Sequence, residues 1–126
     1  MAEIRVAFAD TDLMGIVHHS NYLRYFEVSR VAWLKENGIN YAHWAKKGLH
    51  LPLVEIGCRY RKPARFEDVL IISVKPSRMG ARAVFNYEVR NKETGDLLVT
   101  GFTHHVTIDE TFKIIKMPED LQKILG

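Results

Sequence analysis

Residues 8–38 read FADTDLMGIVHHSNYLRYFEVSRVAWLKENG, and they divide at Ser20 into a polar loop and a helix. From Asn21 to Asn37, Tyr22, Tyr25, Phe26, Ser29 and Trp33 recur at helical spacing, which puts them on one face. Ser20 stands where an N-cap side chain is expected, and Gly38 where a left-handed residue ends a helix. Val28, Val31, Ala32 and Leu34 widen the apolar stripe over most of the circumference, so the helix is expected to be wrapped rather than docked on one side. Arg24, Glu27 and Arg30 lie three apart on the remaining face, and ion pairing within that ladder is the expected use of Glu27. In the loop, Thr11 separates Asp10 from Asp12, and Gly15 permits a tight backbone path. His18 and His19 arrive where the first helical N–H groups lack acceptors and the dipole is positive.

Beyond a short helical piece at Tyr41 to Lys47, the period changes to two and β-branched residues dominate. Strands are predicted at Leu51 to Arg61, Asp68 to Pro76, Arg82 to Arg90 and Leu97 to Asp109, preceded by one amino-terminal strand and followed by a helical turn from Pro118 to Leu125. In the third, Ala83, Phe85, Tyr87 and Val89 share one face and Arg82, Val84, Asn86, Glu88 and Arg90 the other, the pattern of a half-buried antiparallel strand. One strand, one long apolar helix and a run of hairpin-connected strands make an α+β domain, an antiparallel sheet curled around a central helix. Val69, Val84 and Val99 are expected to make the outer sheet face partly apolar, and with an open edge strand this favours self-association.

The chain has 126 residues, one domain's length, with 47% hydrophobic and 26% charged residues. That composition excludes a disordered tail, a collagen-like fibre and a low-complexity linker. A single Cys58 cannot form an intramolecular disulfide, and the first residues reach Asp10 and Asp12 without an apolar signal run, so a cytoplasmic location and no membrane insertion are expected. Eighteen Lys and Arg stand against fifteen Asp and Glu, too balanced for a nucleic-acid partner, and the basic run Arg59, Arg61, Lys62 and Arg65 holds only one aromatic residue.

Asp10 and Asp12 ahead of a helix start place a carboxylate opposite a site for a developing oxyanion. Asp10 reads as the structural member, hydrogen-bonded to loop amides and fixing Asp12. Adjacent His104 and His105 point to opposite strand faces, so no metal site is expected. His104 shares parity with Phe102, Val106 and Ile108 and is expected in the core, with His105, Thr103 and Thr107 facing away. Cys58 aligns with Ile56 and Tyr60 as a buried inert thiol. Neither a serine nucleophile elbow nor a phosphate-binding glycine motif occurs.

The ordered pattern Asp10, Asp12, Gly15, Val17, His19, Tyr22, Glu27 and Arg30 resembles the hotdog-fold thioesterases of the 4-hydroxybenzoyl-CoA type, including bacterial acyl-CoA thioesterases associated with the Tol-Pal system. Tyr60, Pro63, Ala64 and Asp68 extend the resemblance, which covers nearly the whole chain. It implies the hotdog fold and an acyl-CoA thioesterase in which Asp12 is nucleophile or general base on water. It also implies that the substrate carbonyl sits against a backbone N–H near His19, whose side chain positions the loop or assists the leaving thiolate. Coenzyme A enters as part of the substrate and no separate cofactor is implied. By charge and by the family's use of these regions, Arg78, Arg82, Lys113 and Lys116 are candidate contacts to its phosphates. The catalytic unit is expected to be a homodimer, alone or within a tetramer. A non-catalytic acyl-binding protein of the same fold is the alternative.

Overall fold

In the computed structural model, which describes residues 1–126, the chain runs β1 (Ala2–Arg5), a 3-10 turn (Phe8–Asp10), α1 (Asn21–Glu36) and α2 (Tyr41–Lys46), then β2 (Leu53–Tyr60), β3 (Val69–Met79), β4 (Arg82–Asn91), β5 (Leu97–His105) and α3 (Glu119–Leu125). The five strands form one antiparallel sheet in the order β1-β3-β4-β5-β2. Two tight turns set its register. Gly80, at φ 60°, closes β3 onto β4, pairing Met79 with Arg82. Between β4 and β5 the Asn91 side-chain oxygen accepts from the N–H groups of Glu93 and Thr94, and Gly95 takes the left-handed position.

β2 departs from a simple run of hairpins. It crosses to the far edge and pairs with β5, because residues 61–68 leave the sheet to pack against the amino-terminal segment. Val17 donates to the Ala64 carbonyl at 2.8 Å, and Val6 to that of Asp68 at 2.9 Å. Pro63, lacking an N–H, suits a segment outside the ladder.

α1 lies on the inner sheet face. Phe26 stacks on Tyr87 with centroids 4.3 Å apart, worth about 1 kcal/mol beyond area burial. That approach requires Gly101, since a Cβ there would meet the Phe26 ring at 2.6 Å and the Gly57 carbonyl at 2.8 Å. Tyr22, Tyr25, Phe26, Ser29 and Leu34 are buried, and each large apolar side chain contributes roughly 2 kcal/mol. Wrapping is nevertheless one-sided. Leu23, Val28 and Val31 stay 43–46% exposed, because a single five-stranded sheet covers only one side of the cylinder.

Two strand-face expectations reverse. Val99 lies on the inner face and is fully buried, and Val84, on the outer face beside His104 as expected, is nearly covered, so the exposed apolar surface lies instead on the β2 edge, at Leu53, Val54 and Ile56. His105, not His104, is the core histidine at 1% exposure. It shares the inner face with Thr103 and Val99, opposite Ala83, Phe85 and Val89, while half-buried Phe102 stands on the outer face, where Gly57 leaves it room. Thr103 and His105 are polar, and their mutual hydrogen bond is what allows them inside. Ser20 also differs from its expected role: its φ and ψ are helical and its side chain caps nothing. The His18 Nδ1 atom takes the Ser20 N–H at 3.2 Å and lies 2.8 Å from its hydroxyl.

Candidate active site

Residues 11–17 form a tight reversal. Thr11 bridges Val17, Asp12 donates its N–H to Ile16, and Gly15, at φ 78°, donates back to Asp12. Asp12 is half-buried at the start of this turn, and its Oδ1 accepts the Met14 N–H at 2.8 Å. A bridge between Ile16 and Arg65 ties the turn to the segment after β2. Asp12, His19, Tyr22, Tyr60, Arg61 and Lys62 thereby line one cleft of about 340 Å³.

At the entry to α1, the N–H groups of Val17, His18, Asn21 and Tyr22 donate to Ala64, Asp10, His18 and His19 carbonyls, but the His19 N–H has no acceptor. It is a free donor at the positive end of a sixteen-residue helix. The Tyr60 hydroxyl reaches the His19 carbonyl at 3.4 Å. Burial pushes the phenols of both Tyr22 and Tyr60 up to about 12, so they stay protonated near neutrality. Asp12 is the only carboxylate among the residues lining the cleft.

Asp10 is structural, as expected, but through side chains more than loop amides. Its carboxylate accepts from Arg24 at 2.5 Å, Tyr25 at 2.8 Å and the Ala7 N–H at 3.2 Å. Burial alone would raise this carboxyl; the Tyr25, Ala7 and Arg24 donors outweigh it and hold it below the ordinary value. The Asp10 carbonyl also takes the His18 N–H and the Asn21 side-chain amide, so this one residue anchors the loop to α1. Asp10→Asn is expected to lower stability by about 2 kcal/mol, the order for hydrogen bonds to a charged group, and a thermal melt at pH 7 checks it.

The Glu27 ion pairs do not form. Arg24 is taken by Asp10, and Arg30 donates to the Tyr87 hydroxyl at 3.0 Å. Glu55 pairs with Arg82 at 3.0 Å, and the half-buried Cys58 thiol is raised by burial. No three His, Cys, Asp or Glu side chains converge on a point that would hold a metal.

Arg78, Arg82, Lys113 and Lys116 are not brought to this cleft within one chain. Leu53 shares a row with His105, Ala83 and Arg78, whereas Tyr60 shares one with Val99, Val89 and Ile72. Those rows are six residues apart along β3, β4 and β5, about 20 Å at ~3.3 Å per residue. Lys113 and Lys116 lie on the loop beyond β5, at the Arg78 end. Arg61 and Lys62, which as a charge run point to no particular ligand, form part of the cleft wall; the signal lies in their neighbours Tyr60, Pro63 and Ala64.

This architecture recurs among solved thioesterases. A 1,4-dihydroxy-2-naphthoyl-CoA thioesterase from Synechocystis superposes with a TM-score of 0.92 at 28% identity, over 98% of this chain and 93% of that one. A DHNA-CoA thioesterase from Staphylococcus aureus gives 0.91 at 30% identity, over 98% and 88%. The fold is the hotdog, and the protein is a thioester hydrolase. The model of the thioesterase-like superfamily matches residues 6–125, and the chain belongs to that family. Within it, the "putative acyl-CoA thioesterase YneP" of Bacillus subtilis is 36% identical over 116 residues, 90% of this chain and 83% of the relative.

Proposed function

We propose that this protein hydrolyses acyl-CoA thioesters, with Asp12 as nucleophile or as base on water and the His19 N–H as oxyanion donor. The observation that carries the reading is the Asp12 carboxylate and the unpaired His19 N–H in one cleft at the start of α1. The substrate carbonyl oxygen accepts the His19 N–H, and the charge it gains in the tetrahedral intermediate meets the helix N-terminus. With Asp12 as base, it takes a proton from water as the new C–O bond forms, and returns that proton to the thiolate as the C–S bond breaks. With Asp12 as nucleophile, its carboxylate adds to the carbonyl carbon and the C–S bond breaks to leave an acyl anhydride and the CoA thiolate; water then cleaves the anhydride to the free acid and the Asp12 carboxylate, and the proton so released balances the thiolate. Label found in Asp12 after a single turnover in ¹⁸O water identifies the nucleophilic route, because only an anhydride cleaved at the aspartyl carbon leaves it there.

The dimer is part of this reading. β2 is an open edge with Leu53, Val54 and Ile56 exposed, next to the exposed flank of α1. A two-fold axis through that edge pairs β2 antiparallel with its copy, bringing the Arg78 end of one subunit beside the Asp12 end of the other. Arg82 and Arg78 then lie two and three strands from the junction, about 10 and 14 Å at ~4.8 Å per strand, where the phosphates of a coenzyme A bound across the interface are reached. Light scattering is expected to give about twice 14.6 kDa, and Val54→Lys to lower both mass and activity. A stable monomer with full activity would contradict it.

A further inference from the structure

Leu13 and Met14 form the tip of the turn that carries Asp12, and nothing in their own chain covers them. Leu13 is 108% exposed, as free as in an extended peptide, and Met14 77%. The carboxylate therefore stands on a turn fixed by backbone bridges at its base and by the Met14 N–H, with no side-chain packing at its tip. A second apolar tip is exposed at the Arg78 end of the sheet. Ile108 bridges both His50 and Ile114, and residues 109–113 make a turn that one side chain locks. Asp109 Oδ1 accepts the N–H groups of Thr111 and Lys113 at 2.8 and 3.1 Å and the Thr111 hydroxyl at 2.6 Å. These bonds hold Phe112 at φ 64°, a left-handed conformation uncommon for a bulky residue, and leave it 83% exposed. Within its own chain the strained backbone gains nothing, since the ring it presents meets only water.

The two tips overhang the dimer edge by similar lengths. His50, paired with Ile108, lies three residues before Leu53. Ala64 and Arg65, which bond to Val17 and Ile16 of the Asp12 turn, lie four and five residues after Tyr60. Where β2 pairs antiparallel with its copy, the Leu53 end of one strand runs beside the Tyr60 end of the other, so the two overhangs project side by side, one from each subunit. Ile108 is one strand in from the edge, hence two strand widths from the partner's edge strand, about 10 Å at ~4.8 Å per strand. Leu13, Phe112 and Met14 are the three most exposed large apolar residues of the chain, and a two-fold interface covers all three by a single contact made twice.

We propose that Phe112 is a positioning residue that acts across the dimer: its ring packs on the partner's Leu13 and Met14, so that each Asp12 turn is steadied, and its cleft closed to bulk water, by the other subunit. This rests on the dimer of the acyl-CoA reading above. Each cleft is then incomplete in a single chain, and the locked 109–113 turn is the part its partner supplies.

Phe112→Gly removes the ring at a backbone conformation that suits glycine, so the fold persists. It is expected to keep the dimer mass and to lower kcat about 10-fold or more with little change in KM, since a reacting group misplaced by about an ångström loses rate on that order. Phe112→Leu is expected to keep most of the rate. The decisive arm is a heterodimer isolated through two affinity tags, one chain carrying Phe112→Gly and the other Asp12→Asn. Packing across the dimer leaves it one intact site, Asp12 of the first chain against Phe112 of the second, and about half the wild-type rate is expected, far above either homodimer. A heterodimer as slow as the Phe112→Gly homodimer would overturn the proposal, as would full activity of that homodimer or its dissociation to single chains. Mild oxidation of a Leu13→Cys, Phe112→Cys protein carrying Cys58→Ala reads the contact without turnover. Dimers cross-linked between chains are expected; chains closed on themselves, or no cross-link, would place the failure in the Phe112 contact rather than in the catalytic role of Asp12.

Discussion

Asp12→Asn is expected to lower kcat/KM for acyl-CoA hydrolysis by about 10³-fold or more while the fold and acyl-CoA binding persist. The substitution keeps the Met14 N–H bond available to the side-chain oxygen but removes the only carboxylate of the cleft. Asp12→Glu is expected to fail nearly as badly, since an added methylene shifts the carboxylate by about an ångström and that misplacement costs ~100-fold. His19→Ala, in contrast, is expected to keep measurable activity, because the donor assigned to the oxyanion is its backbone N–H. If His19→Ala matched Asp12→Asn with binding intact, the imidazole would be a chemical participant and the division of roles would be wrong. Activity assays beside calorimetric binding check all three.

The second large effect is on stability against acid. Folded His105 is pushed down to about 4, first by burial and then by the Arg30 charge, against ~6.5 in an unfolded chain. Between those values the unfolded state takes up a proton that the fold refuses, so stability falls as pH drops from ~6.5 towards 4, by about 3 kcal/mol in all. The Asp10 carboxyl, held below its ordinary value, acts lower still: its contribution is present above the unfolded value and is lost as pH falls through the folded one. Urea unfolding at pH 7 and pH 4.5 is expected to show the drop. His105→Gln is expected to be less stable than wild type at pH 7, since it disrupts the buried bonds of the imidazole to the Leu51 carbonyl and the Thr103 hydroxyl, but flatter between the two pH values. A wild-type profile as flat as that of the variant would show that His105 titrates normally.

Local order was legible in the sequence and long-range arrangement was not. The loop with Asp10, Asp12 and Gly15, the helix ending at Gly38 and the alternation along β4 follow from short-range spacing, and each stands in the structure. Periodicity marks β2 as a strand but does not place it at the far edge, because pairing Leu53–Tyr60 with β5 is settled by where residues 61–68 pack. Parity separated His104 from His105 correctly but did not say which face is inside. Apolar Phe102 pointed one way, and the hydrogen bonds that let Thr103 and His105 enter the core are three-dimensional. Helical spacing paired Glu27 with Arg24 and Arg30, yet Asp10 and Tyr87, fourteen and fifty-seven residues from those arginines, took both. The cleft was half legible: Asp12 and His19 came from an ordered motif, while Arg61 and Lys62 reach it only through the Ile16–Arg65 bridge.

The most direct measurement is thiol release by the wild-type protein from a panel of short, long and aromatic acyl-CoA thioesters near neutral pH. Catalysis by Asp12 at the α1 start is expected to give turnover on at least one class, with Asp12→Asn silent on the same substrate. Binding of acyl-CoA without turnover of any member would contradict that account and leave a hotdog protein that holds thioesters without cleaving them.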